Sequence, residues 1–307
     1  MLLLTFGSAV TSADVPAYLR SVRGGREASA ELIEEFCRRF DVIGRSPLID
    51  ITLEQATSLD ALLAERHGPG AFRVAAGMLH SAPSVADALQ DLVQAGVGGV
   101  IGIVLAPQYS PLILGGYQRA IDSCTSASRL DIPVRIAPAW HLIEPWLSSL
   151  SDSLRASLEA FDAGIREHVA VVFTAHSLPR PVIDRDPGYM VQINETITAV
   201  AERARLPADG WTFAFQSAGH SPEEWLKPDL TDVLPGLRDR GARDVLVVPV
   251  QFVADHLEIL YDIDVAAAEQ ARAVGLGFHR ISMPNAKPPF IAALADVVAR
   301  ELAVTRT

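Results

Sequence analysis

Eight short runs dense in Val, Ile, Leu, Ala and Phe punctuate this chain, and longer amphipathic segments separate them. That alternation constrains the fold more than any other feature. The runs are Leu2–Phe6, Phe72–Leu79, Gly99–Ala106, Val134–Ala139, His168–Ala175, Thr212–Gln216, Asp244–Phe252 and Gly277–Ser282. Most are near-continuously apolar rather than alternating, the mark of strands buried on both faces of a parallel sheet. The segments between carry a helical period: Ser29–Phe40, Leu53–Glu65, Val85–Ala95, Pro111–Thr125, Leu142–Arg166, Met190–Ala204, Asp229–Arg240 and Asp255–Val274. Strands alternating with such helices predict βαβ units and parallel sheets covered on both faces.

Four runs fall in each half, so the pattern predicts two similarly built α/β domains, each a four-stranded parallel sheet flanked by helices, with a cleft between them. The expected boundaries are 1–150, 151–287, and a last helix over 288–307 that packs back toward the N-terminal domain. The 307 residues suit two domains, and 49% hydrophobic against 21% charged residues is enough for full cores.

A net charge of −11 argues against nucleic acid as a partner and against an anionic membrane surface. No stretch reaches the roughly 18 apolar residues of a membrane span. The apolar start, Met1–Phe6, lacks a basic leader region and reads as a first buried strand. Two cysteines, Cys37 and Cys124, have no metal-type spacing, which points to reduced thiols and a cytoplasmic setting.

Chemistry is expected outside the carboxyl ends of parallel strands. The fifth run delivers Thr174-Ala175-His176-Ser177-Leu178-Pro179 to that edge, so His176 can take a proton or bind a metal near neutral pH, or be satisfied by strand-end backbone. His80 follows the second run with the same two readings. A second block leads from Val248-Pro249 into Asp255, Glu258, Asp262 and Ala266. Here Glu258 either closes a capping box with Asp255 or forms, with Asp262 at i+4, an acidic row that needs a compensating cation. A third block, Gln216-Ser217 through His220 to Trp225 and Pro228, follows the sixth run. It is either a polar turn anchored by tryptophan or a loop supporting the same edge. Arg20, Arg23, Arg26, Arg38, Arg39 and Arg45 stand out in an acidic chain, as solvated charges or as forks for carboxylates. The nearest approach to a dinucleotide turn, Gly96-Val97-Gly98-Gly99-Val100-Ile101, misses its third glycine and precedes a strand. No GxxxxGK[ST] or GxSxG occurs.

Together these blocks resemble the ferrochelatases. The residues that carry the match are Thr174–Pro179; Gln216-Ser217 with Trp225 and Pro228; Val248-Pro249-Val250 leading into Asp255–Asp262; Asn285-Ala286-Lys287-Pro288; Phe6-Gly7; Arg23 to Arg26; Gly44–Leu48; and Leu105–Ser110. The resemblance runs in order along nearly the whole chain. It implies two Rossmann-like chelatase domains and insertion of Fe²⁺ into a porphyrin, with His176 and Glu258 catalytic and handling the metal. Asp262 is implied in an outer metal site or proton path. The likeness is greatest to the coproporphyrin III ferrochelatases of bacteria lacking an outer membrane. It places Phe6, Arg23, Arg39, Phe40, Ser46 and Tyr117 at porphyrin contacts and makes coproporphyrin III and Fe²⁺ the substrates. The alternatives are protoporphyrin IX as substrate, a cobalt or nickel chelatase, or a non-catalytic porphyrin or haem carrier.

The resemblance further implies no cofactor beyond substrate Fe²⁺ and no [2Fe–2S] cluster, since the four cysteines of cluster-bearing members are missing. It implies a monomer without stable membrane insertion that makes transient contact with the downstream haem-pathway enzyme. The chain departs from the pattern at four places. Phe6 stands where many relatives carry tyrosine, Phe40 where relatives have a hydroxyl, Ala266 where a carboxylate is common, and Gln108 where some have histidine.

Overall fold

The computed structural model describes residues 1–108, 110–128, 132–219 and 223–305. Tyr109, His220, Ser221 and Pro222, which belong to the blocks above, lie outside the described residues. All eight apolar runs form strands: β1 Leu2–Thr5, β2 Ala75–Met78, β3 Val100–Val104, β4 Val134–Ile136, β5 Val169–His176, β6 Trp211–Gln216, β7 Asp244–Pro249 and β8 Gly277–Arg280. They make two four-stranded sheets of order β2-β1-β3-β4 and β6-β5-β7-β8. Every pairing is parallel. The second order repeats the first, so the duplication is one of topology.

The strands nearest the sheet centres are the driest. Leu2, Leu3 and Leu4 of β1 and Val172, Phe173 and Ala175 of β5 are fully buried. Each large apolar side chain buried this way contributes about 1.5–3 kcal/mol. Local chemistry sets the helix starts. Ser84 and Asp87 form a capping box at Val85–Gln94, and the Ser29 hydroxyl accepts from Leu32 N–H at 3.3 Å at Ala30–Ile43. The segment expected as one helix over 142–166 is two, Glu144–Glu159 and Ala163–Arg166. Between them Phe161 packs edge-on against His279, ring centroids 4.6 Å apart, in place of continuing the helix.

The chain divides into two compact units, and the division is not simply first half and second half. Unit 1 comprises Met1–Ile143, Val253–Leu257 and Asn285–Thr307; unit 2 comprises Glu144–Phe252 and Glu258–Pro284. Within unit 1 the helix Pro288–Thr305 packs on the helix Leu48–His67 and on β3. Arg66 pairs with Asp296 at 3.3 Å, and the nearly buried Glu301 is held by Arg135 and Arg300.

Asn285 fixes the returning segments. Its Oδ1 accepts from Asp255 N–H at 2.8 Å, its Nδ2 donates to Asp255 Oδ2 at 2.8 Å, and its carbonyl accepts from Gln55 Nε2 at 2.9 Å. Its φ of +49° is one that asparagine tolerates better than most residues. Asn285→Ala therefore loses two side-chain hydrogen bonds and strains the backbone. We expect a loss of about 2–3 kcal/mol, read as a lower urea midpoint. Asn285→Gly, which removes only the bonds, should lose less; equal losses would show that the left-handed conformation contributes nothing.

Candidate active site

In each sheet the strand order reverses direction beside its first strand, β1 or β5, the topological switch point at which open α/β sheets bind ligands. In unit 2 that point is occupied by His176, the last residue of β5. Its backbone N–H donates to Gln251 Oε1 at 2.8 Å, from just beyond β7, and the Ser177 carbonyl accepts from ring Nδ1. A carbonyl can only accept, so Nδ1 carries the hydrogen. In the neutral ring the open lone pair is then on Nε2.

That Nε2 faces Glu258 Oε2 at 3.5 Å, with both side chains only partly exposed. Glu258 opens a π-helical segment, Glu258–Ala267, where an α-helix was expected. Its i→i+5 hydrogen bonds turn the chain less per residue, so the 258, 262, 266 row expected on one α-helical face does not stack as in an α-helix. The capping-box reading of Glu258 fails as well, because the Asp255 N–H is taken by Asn285. Asp262 lies half-buried in the π segment, while Asp264 is bound by Arg280 through two hydrogen bonds of 2.7 and 2.8 Å.

The loop after β6 is stitched to the His176 strand. Thr174 Oγ1 donates to Gln216 Oε1 at 2.7 Å in the interior, Ser177 N–H to the Gln216 carbonyl at 2.7 Å, and Ser177 Oγ to the Leu226 carbonyl at 3.1 Å. The Trp225 ring lies so close over Gly219 that a Cβ there would come within 2.5 Å of it, which excludes any larger residue. Trp225 and Phe252 flank the imidazole, each with ring centroids 6.3 Å from it. Ser217 has a φ of +56° and a buried hydroxyl. Gln251, Phe252 and Ser217 were not singled out as site residues. Ser217 directly follows β6 and Gln251 lies two residues beyond β7, which is the one signal that could have marked them.

In unit 1, Phe6 follows β1 and is a large apolar side chain left 44% exposed. Arg23 ends the helix Val15–Val22 and is exposed. Arg39 lies over the Phe36 ring and pairs with Glu35 one turn earlier, so its charge is already engaged. Phe40 and Ser46 are buried. Tyr117 is a core residue; burial, helped by nearby Tyr18, pushes its phenol far above the usual range. Of the six unit 1 positions expected at porphyrin contacts, Phe6 and Arg23 are the ones well exposed.

An imidazole nitrogen and a carboxylate oxygen converging at 3.5 Å can share a proton or both reach one divalent ion. Ligand bonds of roughly 2.1 Å from each atom span such a gap. Among the described residues no three His, Cys, Asp or Glu side chains gather into a metal-holding group, and no helix is long and apolar enough to cross a membrane.

The ferrochelatase family model matches residues 1–302. A ferrochelatase of Deinococcus radiodurans is 34% identical over 304 residues, 99% of this chain and 96% of that protein. A coproporphyrin III ferrochelatase of a Geobacillus species is 35% identical over 311 residues, 98% of this chain and 97% of that protein. Among solved structures, SirB from Bacillus subtilis with Fe³⁺ matches with a TM-score of 0.59 at 13% identity, over 97% of this chain and 93% of that one. That last likeness is one of fold. The family match over residues 1–302 and the near-full-length relatives at 34–35% identity give the descent: the chain belongs to the ferrochelatase family.

Proposed function

We propose that this protein inserts Fe²⁺ into coproporphyrin III, with His176 as proton acceptor and metal ligand and Glu258 as the carboxylate that handles the metal. The observation that carries the reading is the His176 Nε2 to Glu258 Oε2 approach of 3.5 Å. Two pyrrole protons must leave as the metal enters, and a neutral imidazole with Nε2 open accepts one directly. One imidazole and one carboxylate suit Fe²⁺ without thiolate's grip. Two donors hold the ion loosely enough to hand it on. Trp225 and Phe252 beside the imidazole offer apolar surface to a flat macrocycle. In unit 1 the exposed Arg23 offers its fork to a propionate, and Phe6 its ring to the macrocycle. Asp262, one step along the π segment, is the next carboxylate on an outward metal or proton route.

Protoporphyrin IX is the second reading, and one observation favours it. Arg39 is engaged by Glu35, so a porphyrin with fewer propionates asks less of this unit. Anaerobic assays with Fe²⁺ and each porphyrin decide between the two. We expect kcat/KM higher for coproporphyrin III by about tenfold, the equivalent of one added charge-assisted contact. Equal or reversed values overturn that substrate choice. Tight porphyrin binding with no insertion of any metal would make the protein a carrier.

A further inference from the structure

The reaction leaves one conspicuous imidazole unused. His80 lies just beyond β2, beside the end of β1. Two backbone bonds continue the β1–β2 pairing past the strand ends: Leu79 N–H to the Thr5 carbonyl at 3.1 Å and His80 N–H to the Phe6 carbonyl at 3.0 Å. The two side chains are thus registered on the switch-point edge of the first sheet. Their rings meet edge to face with centroids 4.5 Å apart.

Hydrogen bonds tie the surroundings together. Ser21 Oγ lies 3.0 Å from His80 Nδ1 and anchors that side of the ring. Ser81 Oγ donates to the Ser8 carbonyl at 2.8 Å and accepts from Ser8 N–H at 2.9 Å. Gly7, at φ +89°, is pressed so closely on Ser81 that a Cβ would come within 2.6 Å of its hydroxyl. Only glycine satisfies both conditions. Burial also holds the His80 imidazole below the usual histidine range, which keeps it neutral near pH 7.

The duplicated topology gives this placement meaning. β5 in the second sheet occupies the position of β1 in the first, and β6 that of β2. The second sheet carries its imidazole at the end of β5; the first carries phenylalanine there and its imidazole on the neighbouring strand end. Phe6 has no lone pair to offer a metal, and the ring packed against it does.

We propose that His80 ligates the iron of the metallated porphyrin, with Nδ1–H donating to Ser21 and Nε2 bound to the metal. This rests on the functional reading above, which puts Phe6 against the macrocycle.

The test uses purified full-length protein with ferric coproporphyrin III, with protohaem, and with metal-free coproporphyrin III. After reduction of the iron complexes, resonance Raman spectroscopy should show an iron–imidazole stretch that shifts when histidine is labelled with ¹⁵N. The band should persist in His176→Ala, vanish in His80→Ala, and return in His80→Gly on addition of imidazole. His80→Ala should weaken iron-porphyrin binding at least about tenfold, as loss of a ligand does. Its affinity for the metal-free porphyrin should stay within about twofold, because only the iron bond is lost. A band lost in His176→Ala instead, or no histidine-dependent band in a wild-type complex that inserts iron, overturns the proposal and leaves the functional reading standing. Failure of the wild type to bind any of the three porphyrins overturns both.

Discussion

Replacing His176 with alanine should lower kcat for iron insertion by about 10²- to 10⁴-fold, the usual worth of a positioned general base. The prediction follows from the tautomer that the backbone imposes. Nδ1 is committed to the Ser177 carbonyl, so Nε2 is the only ring atom able to take a pyrrole proton or meet the metal, and it points at Glu258. The side chain is partly exposed, and its backbone N–H bond to Gln251 survives the substitution. The variant should therefore fold normally and bind metal-free porphyrin within about twofold of wild type, since uniform binding is not what the imidazole supplies. Steady-state rates together with fluorescence-monitored porphyrin binding separate the two quantities. Full turnover in His176→Ala would remove the imidazole from the mechanism.

Glu258→Gln should cost about 10²- to 10³-fold in kcat, because it keeps the shape of the side chain and removes the charge that draws a divalent ion toward Nε2. The more telling measurement is the double variant. If His176 and Glu258 act on one ion or one proton, the pair should lose little beyond the worse single variant. If they act in separate steps, the losses should multiply, and the shared-ion reading fails. The assay is the same anaerobic insertion rate, run beside circular dichroism to confirm that the fold is unchanged.

Much of the fold was legible because burial on both faces leaves a strand little choice of residues. Runs such as Val171–Ala175 and Val245–Val248 are buried along their whole length, as a sheet interior requires. What eluded the sequence was geometry without a period. The π segment buries Ile259, Ile263 and Ala267 four residues apart, a spacing an α-helix also gives, so it reads as a continuous α-helix from Asp255; its i→i+5 bonding leaves no side-chain period to report it. The helices Val15–Val22 and Arg180–Arg185 were missed because they are short and follow turns.

At the site, His176 and Glu258 are legible as strand-end and helix-start chemistry, while their meeting is implied by the resemblance alone and by no spacing in the chain. It depends on Gln251 and Ser177, which act through backbone atoms and side-chain reach and leave no spacing cue. The arginines mislead in the other direction. Arg20, Arg39 and Arg45 look available in sequence, yet each pairs with an acid nearby: Glu27, Glu35 and Asp50. Asn285 is legible within Asn285-Ala286-Lys287-Pro288, while its hold on Asp255, thirty residues upstream, is visible only in three dimensions.

The interleaved build of the two units bears on how the chain comes off the ribosome. Unit 1 supplies the first strands to emerge, yet the contacts that complete it, Gln55 with Asn285 and Arg66 with Asp296, each join residues 230 apart in sequence. All of unit 2 lies between, broken only by the short return to unit 1 at Val253–Leu257. Loops that long close late. The nascent first sheet must therefore wait, with the face destined for the last helix still uncovered, until translation has all but finished. The unit made first is the one finished last, and its dependence on holding chaperones should exceed that of unit 2.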